Sequence, residues 1–181
     1  GKTMTACILC GELKAEEIQE DDFSLMSTSE EYNGESHMPD VYSNTLVQNV
    51  DYTVRYDNNV NVGTATVTIT GIGEYTGQVV KTFTITPKDV NNVDWNIYAE
   101  DITYNGTEKR LEVNSEKLTE NVDYKVSYSN NINVGTASIS IEGIGNYTGI
   151  YEMNFAISPA CLNNLELYIQ KEYETTVYDG T

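Results

Sequence analysis

Cysteine, proline, histidine, tryptophan and basic side chains are all scarce in this chain. Its 181 residues include 3 Cys, 3 Pro, 1 His and 1 Trp, with only 10 Lys and Arg. Each shortage excludes something. The cysteines, Cys7, Cys10 and Cys161, are odd in number and lie towards the ends, so no disulfide framework holds the chain together. Against the 10 basic residues stand 28 acidic ones, for a net charge of −18. Such a surface repels a phosphate backbone and an anionic bilayer, so nucleic acid is excluded as a partner. No apolar run has the length of a membrane span, and no membrane insertion is expected. One histidine, no Gly-x-Ser-x-Gly elbow and no carboxylate pair framed by apolar residues leave catalysis without a recognisable constellation. No catalytic residue, cofactor or metal is assigned.

What is present is a duplication. Residues 51–87 recur as residues 123–159, at a constant offset of 72 with no gap, and 21 of the 37 positions are identical. A period of that size marks two tandem copies of one small domain. The alignment extends upstream: Phe23 matches Trp95, Leu25 matches Ile97, and Tyr32-Asn33-Gly34 matches Tyr104-Asn105-Gly106. We therefore divide the chain into an arm at residues 1–18, a first repeat at 19–89 and a second at 91–161. Residues 163–181 read as the start of a third, truncated repeat, since Tyr178-Asp179-Gly180 restates the Tyr-Asn-Gly triplet. A domain cut after its first strand is expected of a fragment of a longer repeat protein, the alternative being a native terminus whose last strand docks on the second repeat. The arm reads as a signal-peptide remnant with cleavage near Ala15, as a lipoprotein acceptor at Cys7, or as an arm with a short helix through residues 12–19.

Within each copy the period is two, which means strands. The inward set is Tyr52, Val54, Tyr56, Ala65, Val67, Ile69, Phe83 and Ile85, with their counterparts 72 residues later. Thr64, Thr66, Thr68 and Thr70 face outwards. Lys81 interrupts this face where the second copy has Met153, which predicts a bulge, a bend or a sheet edge in one copy. Pro87 and Pro159 end strands because proline donates no ladder hydrogen bond. The junctions, residues 88–92 and 160–164, carry no Gly/Ser linker and are expected to be short and stiff.

Three motifs resemble sites. Gly71-Ile72-Gly73 looks like a phosphate loop, but no helix follows to supply a positive N-terminus, so it reads as a turn that lets Tyr75 and Tyr147 pack or cap the fold. Residues 57–61 place oxygen side chains at alternate positions, loosely like a calcium loop. No bidentate Glu follows, and Asp57 becomes Ser129 in the copy, so turn chemistry is the reading. Cys7-x-x-Cys10 with Cys161 and His37 has the composition of a Cys3His zinc site, but the ligands are far apart in sequence. His37, replaced by Lys109 in the copy, is expected on an exposed loop. Three tyrosines without aromatic counterparts, Tyr42, Tyr98 and Tyr151, are the candidate ligand contacts.

The string Asp-Tyr-x-Val-x-Tyr-x-Asn-Asn-x-Asn-Val-Gly-Thr-Ala, then Gly-Ile-Gly-x-Tyr-Thr-Gly and Phe-x-Ile-x-Pro, resembles the tandem Ig-like (MBG/YDG-type) repeats of bacterial cell-surface and secreted proteins. The resemblance covers both copies and not residues 1–18. It implies an extracellular, all-β chain of two Ig-like β-sandwich modules, with small β-grasp-like sheets as the alternative. It also implies a role in spacing or displaying other domains, and it offers no catalytic residues. Two functions follow: a stalk, spacer or adhesin scaffold whose partners are neighbouring repeats of the same polypeptide, or a module binding an extracellular glycan or protein through exposed tyrosines.

Overall fold

The computed structural model describes residues 15–99 and 101–161. Among them the chain is all-β, with two single-turn 3-10 helices, Glu20–Asp22 and Val90–Asn92, and no α-helix. The strands of the first half are β1 (Glu16–Glu17), β2 (Ser24–Leu25), β3 (Ser29–Glu31), β4 (Val41–Tyr42), β5 (Tyr52–Asp57), β6 (Gly63–Gly71), β7 (Tyr75–Thr76) and β8 (Gln78–Thr86). Those of the second half are β9 (Lys88–Asp89), β10 (Asn96–Tyr98), β11 (Glu112–Asn114), β12 (Tyr124–Ser129), β13 (Gly135–Gly143), β14 (Tyr147–Thr148) and β15 (Ile150–Ile157).

The long strands lie where the two-residue alternation places them. In the first copy they form a four-stranded sheet in the order β3-β8-β6-β5, with β3 parallel to β8 and the other pairs antiparallel. In the second copy β12, β13 and β15 form the matching antiparallel sheet, and a parallel bridge from Thr103 to Ser158 stands at the β3–β8 position. Register repeats with the sequence: Ala65 faces Phe83, and Ala137 faces Phe155. One face of each sheet is covered by a short antiparallel ribbon, β2–β4 or β10–β11, and by the residues around it. The two layers are thus unequal, a full sheet against a ribbon two or three residues long.

The inward set is inward. Tyr52, Ala65, Val67, Ile69, Phe83 and Ile85 are buried, with Val54 and Tyr56 half-buried against them. In the second copy Tyr124, Ala137, Ile139, Ile141 and Ile157 are buried, while Val126, Tyr128 and Phe155 are half-buried. Each core carries the same aromatic pair, since Phe23 meets Tyr52 and Trp95 meets Tyr124 edge to face, both at 4.9 Å between ring centroids. Edge-to-face geometry sets the positive ring edge against the negative face.

The turns explain the asparagines and glycines. Asn49, Asn58, Asn121 and Asn130 all have positive φ, between 54° and 66°, a region asparagine tolerates better than most residues. Gly71 is required for a different reason: a Cβ there would lie 2.8 Å from the backbone nitrogen of Thr76. Its counterpart Gly143 meets Thr148 at 2.7 Å. The Gly-Ile-Gly segment is therefore a reversal tight enough to press one backbone on another.

Two expectations are corrected, the helix over residues 12–19 and the exposed loop at His37, and two others take a definite form. Glu16 and Glu17 are not helical: they pair in parallel with Tyr75 and Thr76, and Ile18 is buried in the first core. The junction at residues 88–92 is short and is built into the second copy. Lys88 and Asp89 pair with Tyr147 and Thr148 in the same way, 72 residues on, and Val90 is fully buried. At Lys81 there is no bulge, because the ladder runs unbroken past it, and of the alternatives the sheet edge holds. β15 is the edge strand of its sheet, β3 pairs with β8 only at Thr84–Thr86, and the Lys81 ammonium reaches Glu20 at 3.3 Å. A lysine stem lies along apolar surface while its head finds a partner, so the face continues through it. His37 is not exposed: it is 8% accessible, and Lys109 is 7% accessible. At both positions the backbone is clasped by an asparagine. The His37 N–H donates to the Asn59 carbonyl at 2.8 Å, and the Asn59 amide donates back to the His37 carbonyl at 2.8 Å. Asn131 clasps Lys109 in the same manner at 2.7 and 2.9 Å. The position is set by its backbone, which is why the side chain differs freely between copies.

Candidate functional site at the junction of the two copies

Every asparagine of the 58–63 loop has a structural partner or conformation. Asn58 supplies the left-handed turn, Asn59 clasps His37, and Asn61 reaches across to the second copy. The residue it meets is Asn146, in the Gly-Ile-Gly-Asn-Tyr-Thr-Gly reversal. Asn146 Oδ1 accepts from the Val62 N–H at 2.9 Å, and Asn146 Nδ2 donates to Asn61 Oδ1 at 3.1 Å. The Asn146 carbonyl accepts from the Lys88 N–H at 3.1 Å. One asparagine thus ties the loop of the first copy, its own reversal and the strand that follows Pro87.

The next residue adds an apolar contact. Tyr147 packs edge to face on Tyr32 of the first copy, with ring centroids 5.5 Å apart at 80°. Tyr147 was expected to fold back on its own copy; it spans the junction instead. Its counterpart Tyr75 packs against the first core. Burial holds the Tyr147 phenol above its usual range, with Tyr32 and Asp123 acting in the same direction. Asp89 closes the other side. Its carboxylate accepts from the Asn91 backbone and side chain at 2.9 and 2.8 Å, and these bonds hold its pKa below the usual carboxylate range.

Beside this contact runs a groove of about 640 Å³, lined by Asn33, Lys88, Trp95, Lys117, Tyr147 and neighbours. Trp95 is fixed in its wall by an indole N–H bond of 3.0 Å to the Val90 carbonyl. Its charged lining groups are Lys88, Asp94, Glu116 and Lys117. The arrangement positions two copies against each other.

The tyrosines singled out from sequence are not brought together. Tyr42 is 53% exposed on β4 and donates to Asn44 at 2.9 Å. Tyr98 is 46% exposed on β10, opposite Glu112. Tyr151 is half-buried on β15, opposite Ile141, and packs on the second core. The zinc reading fares as follows: His37 is buried beside Asn59, Cys161 is exposed, and Cys7 and Cys10 lie outside the described residues. Among the described residues no group of three His, Cys, Asp or Glu is placed to hold a metal ion, and no helix is long and apolar enough to cross a membrane. In the calcium-like loop, Asp57 is engaged by Arg55 at 2.6 Å. The third-copy reading falls on residues outside the described ones. The residues missed from sequence are Asn61, Asn146 and Tyr32. Only Asn146 carried a signal, because it replaces Glu74 at the point where one copy touches the other; Asn61 and Tyr32 recur unchanged as Asn133 and Tyr104.

Compared with family models, with curated proteins and with solved structures, the chain matches none.

Proposed function

We propose that this chain is a non-catalytic run of Ig-like repeats, serving as a stalk, spacer or adhesin scaffold of an extracellular bacterial surface protein. The observation that carries the reading is the junction. Only Pro87 lies between β8, the last strand of the first sheet, and β9, the first strand paired with the second copy. A one-residue link backed by the Asn61–Asn146 pair and the Tyr32–Tyr147 contact holds distance and direction between units, which is what a spacer requires. Each unit fits a reduced Ig-like sandwich, one full sheet and a ribbon around one core. The net charge of −18 keeps an extended, exposed chain soluble and apart from its neighbours. Small-angle scattering of the whole chain tests the reading: a skewed distance distribution with a long tail is expected, and a symmetric, compact one overturns it. The binding alternative rests on the exposure of Tyr42 and Tyr98. It predicts retention on a glycan surface that Tyr42→Ala and Tyr98→Ala abolish.

A further inference from the structure

The face of the first copy that receives Tyr147 and Asn146 consists of Tyr32, Asn61 and Val62. Counted 72 residues on, the second copy presents Tyr104, Asn133 and Val134, the same three residue types. In the first copy the neighbour's loop sits there, and Tyr32 and Val62 are half-buried. In the second copy Val134 is 50% exposed and Tyr104 is 38% exposed. Lys88 and Asp89, which pair with β14, are half-buried, whereas their counterparts Ala160 and Cys161 are exposed.

We propose that Tyr104, Asn133 and Val134 form a docking face for a further repeat unit joined after Pro159, which seats its own Gly-Ile-Gly-x-Tyr-Thr-Gly reversal there. The seating copies the first junction: a tyrosine edge on the Tyr104 ring, and an asparagine side chain bonded to the Val134 N–H and the Asn133 amide. The interface is head to tail, with different surfaces on its two sides, so it extends a row and does not close a ring. The occupant is a tethered unit and not a free second copy for two reasons. The contact is small, and the chain carries −18, so free copies repel each other. A one-residue tether raises the local concentration of the reversal enough for so small a contact to hold. The inference rests on the spacer reading and names its partner.

The test inserts an in-frame second copy of residues 88–159 after Pro159 of the full chain, continuing the register of 72. In the cysteine-free extended chain, the Val134 amide is expected to shift in nuclear magnetic resonance spectra to a position like that of Val62. Cysteine pairs then report proximity with a short bismaleimide: Tyr32→Cys with Tyr147→Cys as the reference, and Tyr104→Cys with the Tyr147→Cys change in the inserted copy. Both pairs are expected to cross-link to the same extent. If the reference pair links while the new pair does not, and Val134 does not shift, the docking proposal falls and the spacer reading stands. If neither pair links and Val62 and Val134 both resemble free loop amides, both readings fall. Self-association of the unextended chain on concentration, lost in Val134→Asp, would overturn the tethered assignment in favour of a free second copy.

Discussion

At the residue scale, the duplication is a built-in control, because matched side chains sit in measurably different surroundings. Phe83 is 2% accessible, whereas Phe155 only packs on the edge of its core. Phe83→Ala should therefore cost on the order of 3–5 kcal/mol, and Phe155→Ala roughly half of that. Urea unfolding of the two variants checks this; a loss under about 1 kcal/mol for Phe83→Ala would mean that the strand register is misread. His37 is the second case. Its Nε2 is buried and has no hydrogen-bond partner. Replacing an unpaired buried polar atom with an apolar group removes a desolvation cost, so His37→Leu should leave stability unchanged or raise it by about 1–2 kcal/mol. A lower melting temperature would reveal a partner for that nitrogen. Tyrosine ionisation gives the third. Burial raises the phenols of Tyr52, Tyr56, Tyr124 and Tyr128, with Asp51, Asp40 and Glu120 adding at the first three in turn and Arg110 opposing at Tyr128. A phenol whose folded pKa exceeds its unfolded value stabilises the fold fully below pH 10, and that stability is lost as pH rises through the folded value. Denaturant midpoints should hold from pH 8 to about 9.5 and then fall. A midpoint unchanged to pH 11 would contradict the burial of these rings.

At the element scale, β6 and β13 are each hydrogen-bonded on both edges along most of their length. Amide exchange should be slowest there, and faster in β5 and β12, which are bonded on one edge. Exchange of β6 as fast as that of β5 would sink the strand order. These long strands were legible in sequence, since Ala65-Thr66-Val67-Thr68-Ile69 alternates without a break and tolerates no other register. The two-residue strands β1, β7, β9 and β14 were not. A pair of residues has no period, and a parallel bridge between Lys88 and Tyr147 leaves no local mark. For the same reason residues 16–18 and 88–90 were assigned to an arm and to a junction, although Ile18 and Val90 are core residues. The clasps at His37 and Lys109 were hidden too, because an asparagine bonded to a backbone 22 residues away looks like any turn asparagine. Tyr42, Tyr98 and Tyr151 were picked out by their mismatch between copies, and that mismatch carries no information about where they lie.

At the scale of the whole molecule, the proposed spacer requires the two copies to act as one stiff body, held by Pro87, the Asn61–Asn146 pair and the Tyr32–Tyr147 contact. Residual dipolar couplings measured in the full chain test this most directly, because each sheet reports its own alignment. The account predicts one shared alignment tensor for residues 24–86 and 96–157. It also predicts that the double variant Asn61→Ala, Asn146→Ala separates the tensors while both cores stay folded. Two tensors of different magnitude in the unmodified chain would show the copies tumbling independently, and the stiff spacer would be contradicted.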